Sequence, residues 1–282
     1  MKRLSVALVI LTLAWVATPL AQKRPAPPKA PRLYVFDNGG ISGLDPKIFG
    51  FAREELKSVD FVNQSYLIVH PRGTVMFDTG GIGDDKFPPG GGAAKEGIMT
   101  ADKKLVPQME AAGYTPSDVT YLVMSHYHSD HTGNANLFAG ATWIVQKAER
   151  DVMFADKPEG IIQPATYSAL KTAKTKILNN EDFDIFGDGT VMVKTTPGHT
   201  PGHQVLFVKL ARTGPVLLAG DLYHYPEEIT TGKTPTFEFD AAMSAKSRAA
   251  VQAFVKQTGA KLWIEHDKPT HANLPKSPRY LD

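Results

Sequence analysis

SHYHSDHTGN, residues 125 to 134, directly follows the apolar run VTYLVM at 119 to 124. Three histidines and an aspartate, His126, His128, Asp130 and His131, fall within six residues where a buried strand ends. Alternate residues of an extended chain point to the same side, so His126 and His128 converge on one point. A turn into helix at Ser129 and Asp130 swings Asp130 and His131 towards a neighbouring point. The stretch is therefore a geometry for two adjacent cations. A lone histidine is more often a satisfied loop residue. Here five of the nine histidines stand at strand ends with acidic residues beside them, which a chance scatter does not produce.

Outward from that stretch, the other candidate ligands repeat the same placement. His199 follows VMVKTTPG, Asp221 follows PVLLAG and His266 follows KLWIE, each at the end of an apolar strand. HxHxDH with a later PGHTPGH, GD and EHD resembles the metallo-β-lactamase superfamily over nearly all of residues 32 to 282. That resemblance implies an α/β fold, an αββα sandwich of two mixed β-sheets packed face to face with helices outside. It also implies two divalent metal ions at one edge of the sheets. His126, His128 and His199 would hold one, Asp130, His131 and His266 the other, and Asp221 would bridge them with a water-derived hydroxide. An all-N/O donor set without thiolate suits zinc first, and also Mn, Fe or Co. His203, four residues after His199, reads as structural rather than as a ligand.

Within the superfamily, a bridging Asp221 resembles the lactonase, glyoxalase II and nuclease branches rather than the β-lactamases, which generally place Cys or Ser there. The LYVFDNG opening and the WIEHD close look like N-acyl homoserine lactonases. The implied reaction is opening of a lactone ring by attack of the bridging hydroxide, with Asp130 orienting the nucleophile. Such lactonases usually carry a tyrosine three residues after the bridging Asp, where this chain has His224, flanked by Tyr223 and Tyr225. Tyr223 is the expected replacement, as a catalytic phenol aimed at the carbonyl oxygen. Ser129 stands where an aromatic residue is often found. Alternative readings are a metallo-β-lactamase, a thioester or phosphodiester hydrolase on the same site, or a metal-binding protein without turnover.

The 282 residues, 42% of them hydrophobic, suffice for one large catalytic domain. MKR followed by LSVALVILTLAWVA reads as a secretory signal peptide over residues 1–21, although Pro19 stands where a cut after Ala21 wants a small residue. An uncleaved membrane anchor is the alternative; otherwise no stable membrane insertion is expected and the protein is periplasmic or secreted. Residues 22–31 have the composition of a proline-stiffened linker without a core, and 32–282 form the hydrolase domain. Without Lys2 and Arg3 the mature chain has 29 basic and 29 acidic residues. A neutral chain makes no electrostatic case for nucleic acid, so the expected partner is a small ester or lactone. The absence of cysteine excludes a disulfide framework.

Several local expectations accompany the fold. FVNQSYLIVH, PRG and TVMFDTGG read as a hairpin, with Asp78 either bracing a ligand loop or capping a turn. Residues 81–99 read as an irregular glycine-rich stretch, either a flap beside a site or a plain surface loop, and Ile41, Phe49 and Phe51 as exposed residues of a loop at 41 to 54 that lines an acyl groove. Helices are expected from Thr100 to Ala112, with Pro107 forcing a late start or a kink, in QKAERDVMFA and ATYSALKTAKT, and from Asp240 to Thr258. The last of these should bury Met243, Ala250, Val251, Phe254 and Val255.

Overall fold

A computed structural model describes residues 25–158 and 160–282. The expected leader, residues 1–21, lies outside the described residues, as do residues 22–24 of the linker. The rest of that linker is not free of packing, because Pro28 and Pro31 are buried. Among the described residues no helix is long and apolar enough to cross a membrane.

The first sheet takes β1 (Arg32–Ile41), β2 (Phe61–His70), β3 (Gly73–Phe77), β4 (Ala94–Glu96), β5 (Met99–Ala101), β6 (Tyr121–Val123), β7 (Thr142–Gln146) and β8 (Thr175–Leu178), in the order β4-β5-β1-β2-β3-β6-β7-β8. The second takes β9 (Phe183–Asp184), β10 (Val191–Thr195), β11 (Gln204–Leu210), β12 (Gly214–Leu218) and β13 (Lys261–Trp263), in the order β13-β12-β11-β10-β9. The C-terminal β14 (Tyr280–Leu281) returns to pair with β1. The helices are α1 (Leu105–Ala111), α2 (Ser129–Thr132), α3 (Lys147–Met153), α4 (Pro164–Tyr167), α5 (Glu227–Thr231), α6 (Ala241–Thr258) and α7 (Lys268–Ala272).

Period-two alternation builds the layers. On β1, Leu33 and Val35 face the second sheet, where they meet Val193, Leu206 and Val208, while Tyr34 and Phe36 face Leu105 and Met109 of α1. On β12, Val216 and Leu218 enter the layer between the sheets, and Leu217 packs under Val251 of α6. Helix, sheet, sheet, helix is therefore the order of layers. Leu206 is fully buried between the sheets, and truncating such a residue to alanine costs about 2–5 kcal/mol.

Four local expectations are corrected. Helix α1 begins at Leu105 rather than Thr100, the late start that Pro107 implied, because Met99–Ala101 is a strand and Pro107 belongs in a first helical turn. Its open end is closed from a distance: the Asp84 carboxylate accepts from the Leu105 and Val106 amides at 2.7 and 2.9 Å. The flap at 81–99 contains β4 and runs into β5, so it is not wholly irregular. The expected ATYSALKTAKT helix does not reach its last residue, since Thr175 opens β8, which lies beside β7 with Leu178 buried. Ile41, Phe49 and Phe51 are buried rather than exposed, in a cluster with Phe61 and Tyr225.

Helix α6 is placed as expected, with Asp240 accepting from the Ala242 and Met243 amides and Gly259, at φ 68°, ending it. Its buried face differs. Ser244, Ser247, Arg248 and Val251 are buried and Ala250 is exposed, because the helix rests on polar loops. Ser247 donates to the Pro197 carbonyl and Arg248 to that of Leu222. Those contacts tie α6 to the two loops that carry His199 and Asp221.

Candidate metal centre and cleft

The candidate ligands gather where strand ends of the two sheets face each other. β6 ends at Val123, and the chain bends at Ser125 and Tyr127 as it passes His126 and His128 before α2 turns Asp130 and His131 inward. Gly133 just beyond α2 lets this loop close on the DTGG segment; its amide donates to the Gly80 carbonyl at 2.6 Å, and a Cβ there would lie 2.7 Å from that oxygen. Gly220 does the same service for Asp221. At φ 47° it turns the chain off β12, and a Cβ on it would lie 2.5 Å from the Cβ of Ser125.

Two groups of four side chains result, each with ligand atoms within 4.8 Å of one another: His126, His128, His199 and Asp221; and Asp130, His131, Asp221 and His266. Asp221 belongs to both. Its Oδ1 lies 3.1 Å from His131 Nε2 and 3.0 Å from His266 Nε2. Its Oδ2 lies 3.7 Å from His126 Nε2 and 3.6 Å from His199 Nε2. All seven expected metal-site residues are thus brought together.

The rings are held so that one nitrogen is spent on the protein and the other is left for the centre. His266 Nδ1 donates to the Val62 carbonyl at 2.9 Å, and Phe61 stacks on the same ring with centroids 4.5 Å apart. His199 Nδ1 lies 3.3 Å from Glu238 Oε1, and Glu238 in turn accepts from Ser244 of α6. His126 Nδ1 lies 2.9 Å from Ser125 Oγ. His131 Nδ1 faces Asp78 Oδ2 at 3.2 Å and Glu265 Oε1 at 3.3 Å. Asp78, at φ 54°, also accepts from the Ser125 amide at 2.6 Å, so it braces the ligand loop rather than capping a turn.

What remains is a knot of orphaned polar atoms. His126 Nε2, His131 Nε2 and Asp221 Oδ1 are buried with no hydrogen-bond partner among the described residues. Each such atom costs about 1–3 kcal/mol unless something satisfies it. Burial holds His126, His128 and His199 well below the usual imidazole range, with neighbouring histidines adding to the effect, so they are in the neutral form that ligates a cation. The donors, their shared carboxylate and their unpaired state fit two divalent cations.

His203 is a scaffold, as the spacing indicated. Its Nε2 accepts from the Asp221 amide at 3.2 Å, which places its proton on Nδ1, 2.8 Å from Thr196 Oγ1. Glu149 of α3 was not signalled, since QKAERD reads as a solvated helix. It is 2% exposed and accepts from the Tyr127 and Gly202 amides and the Thr200 hydroxyl. Burial pushes its carboxyl up to about 7 against the pull of those donors. Only tertiary packing marks this residue, which joins the loop of His126 and His128 to the loop of His199.

The expectation for Tyr223 is corrected. Tyr223 is extended, at φ −141° and ψ 144°, so residues 223 and 224 point to opposite sides. Tyr223 turns away from the centre: its hydroxyl accepts from Gln252 of α6 at 3.2 Å and Arg248 lies over its ring. His224 faces the centre, with Nε2 3.2 Å from Asp221 Oδ2 and Nδ1 3.5 Å from Glu228 Oε1. Glu228 is itself held by Arg248 Nη2 at 2.6 Å.

A cleft of about 440 Å³ opens on these side chains and is lined by Ile41, Leu44, Ile48, Ile98, Ile161 and Phe237 together with His128, Asp130, Asp221, His224 and His266. Comparison with known families gives a match to the metallo-beta-lactamase superfamily over residues 59–266. The chain belongs to that superfamily. A curated relative, N-acyl homoserine lactonase AttM of Azorhizobium caulinodans, is 30% identical over 262 residues, covering 89% of this chain and 98% of the relative.

Solved structures share the fold. An N-acyl homoserine lactone hydrolase with the product N-hexanoyl-L-homoserine bound at its catalytic metal centre superposes with a TM-score of 0.69 at 24% identity, covering 89% of this chain and 99% of the other. AidC, a dizinc quorum-quenching lactonase in complex with its product, gives a TM-score of 0.62 at 20% identity over 84% of this chain and 87% of its own.

Proposed function

We propose that this protein is a metal-dependent lactonase that opens the ring of N-acyl homoserine lactones and so quenches signalling by them. The observation that carries the reading is the position of the apolar cleft directly against two ligand groups joined by Asp221. Relatives named as N-acyl homoserine lactonases support it.

His126, His128 and His199 would hold one cation and Asp130, His131 and His266 the other, with Asp221 shared between them. Zinc suits this donor set best. Two bound cations supply a nucleophilic water at neutral pH and a Lewis acid for the ring carbonyl. Asp130 is the most open of the ligand carboxylates, with its side chain 13% exposed, and is placed to orient the attacking water and to receive its proton. His224, propped by Glu228 and Arg248, lines the same cleft beside Asp221 and would meet the lactone carbonyl there. Ile41, Leu44, Ile48, Ile98 and Ile161 take the acyl chain, whose apolar surface they remove from water. The apolar leader at residues 1–21 carries the chain out of the cytoplasm, to the periplasm or the medium.

The test is a substrate panel with zinc-loaded protein. N-hexanoyl homoserine lactone should exceed a β-lactam, a thioester and a phosphodiester by about 100-fold in kcat/KM, equivalent to about 2.7 kcal/mol of transition-state free energy. A preference of that size for any other member of the panel overturns the reading.

A further inference from the structure

The cleft does not end in the protein interior. A second cavity, of about 450 Å³, adjoins it and is walled by Asp84, Lys86, Asn134, Asn136 and Thr166 among others. Two residues, Glu96 and Gln163, line both spaces. Gln163 Nε2 donates to Glu96 Oε1 at 3.2 Å, so a hydrogen bond stands where the two spaces adjoin.

The two partners come from separate elements. Glu96 ends β4, in the glycine-rich segment, while Gln163 stands at the turn into α4. Gln163 is fixed by its backbone, since its carbonyl accepts from the Thr166 amide and hydroxyl at 3.0 and 2.8 Å. Ile162 beside it forms a backbone bridge with His128. The boundary is thus anchored to the metal loop on one side. On the other, β4 is paired with β5, Glu96 standing opposite Met99, while a notional Cβ on Gly90, Gly91 or Gly92 just before β4 meets nothing within 4 Å among the described residues.

We propose that the Glu96–Gln163 hydrogen bond is the end wall of the acyl site and sets the longest acyl chain the enzyme accepts. The proposal rests on the lactonase reading and adds the determinant of substrate length. Each methylene laid along Ile98 and Ile161 gains from leaving water. A chain long enough to reach Glu96 must instead separate a charge-assisted bond between two half-buried groups, which cancels the gain of the next methylenes. Removing either partner joins the cleft to the cavity and gives a longer chain room.

The experiment compares wild type, Gln163→Ala, Glu96→Ala and Glu96→Gln, each loaded with zinc to equal content. Turnover is measured on N-acyl homoserine lactones of four, six, eight, ten and twelve carbons, and affinity for the ring-opened N-acyl homoserines of the same lengths is measured by calorimetry. Both alanine variants should raise the twelve-carbon to six-carbon ratio of kcat/KM, and of affinity, by about tenfold, whereas Glu96→Gln, whose amide oxygen still accepts from Gln163, keeps the wild-type ratio. Unchanged ratios in both alanine variants overturn the wall. Absence of lactone turnover in every variant, with the affinity ratios shifting as stated, overturns the lactonase reading and leaves the wall standing.

Discussion

Thr200 donates its hydroxyl to both carboxylate oxygens of Glu149, at 2.9 and 2.8 Å, and through that carboxylate the two histidine loops share one brace. The Tyr127 amide donates to the same group at 2.8 Å from between His126 and His128. A preorganised centre needs such support, because a ligand displaced by a fraction of an ångström loses affinity.

Glu149→Gln should therefore weaken metal binding without touching a ligand. The amide sets an NH2 group against donors that now have a carboxylate, leaving at least one buried donor unpaired at about 1–3 kcal/mol. Zinc affinity, read by competition with a chromophoric chelator, should fall about 10- to 100-fold. Wild-type affinity in the variant would show that the loops hold their shape without the brace.

Metal removal gives a second prediction. A ligand that binds only the folded chain stabilises it by mass action, by about 4 kcal/mol per site at 1,000 times its dissociation constant. Stripping the cations leaves His126 Nε2 and His131 Nε2 without a hydrogen-bond partner among the described residues. Chelator-treated protein should melt at clearly lower temperature, and zinc should restore the loss in two equivalents per chain. Restoration complete at one equivalent would show that only one group of four binds.

How far the sequence spoke can be traced residue by residue. The ligands were legible because their logic is local: an apolar strand, alternation along extended chain, then His or Asp where the strand stops. Helix α6 was legible for the same reason, through Asp240 and Gly259 at its ends. Its buried face was not, because Ser247 and Arg248 are buried by hydrogen bonds to carbonyls distant in sequence, and no periodicity reports those. Glu149 was hidden likewise, and β8 was hidden because a short edge strand carrying Lys176 buries little. Tyr223 failed for a sharper reason. The alternation that placed His126 and His128 applies after Asp221 as well, and the three-residue helical turn Gly220–Leu222 sets which of 223 and 224 faces inward.

His271 adds a source of acid sensitivity outside the metal centre. Its ring is buried, with Nε2 3.0 Å from the Ile264 carbonyl and Nδ1 unpartnered among the described residues. Burial, helped by the Lys276 ammonium, pushes it down to about 3. The unfolded chain takes up this proton near pH 6.5 and the folded chain near 3, so stability present above 6.5 is lost as the pH falls through that window. In the metal-free protein, His271→Gln keeps a donor for Ile264 and does not titrate. The difference in melting temperature between pH 7.5 and pH 4.5 should be smaller in the variant than in wild type. An equal difference would place the acid sensitivity elsewhere.

The last prediction separates the two residues after Asp221. Tyr223 packs among Leu222, Val251 and Ile264 with its hydroxyl on Gln252, so Tyr223→Phe removes one hydrogen bond on the α6 side and should cost about 1 kcal/mol of stability. Its kcat should stay within a few-fold of wild type. His224 is the side chain at the cleft wall, packed against Phe49 with ring centroids 4.9 Å apart and backed by Glu228. That packing fixes the ring, so a donor there is already aimed when the lactone carbonyl gains negative charge, and such a group binds the transition state better than the substrate. His224→Ala should lower kcat by about 100-fold at unchanged zinc content, the usual effect of removing an oxyanion donor. Zinc content is the control that divides this role from a ligand's. If His224→Ala loses a zinc equivalent, the ring ligates; if it turns over normally with both, the carbonyl is met by another group.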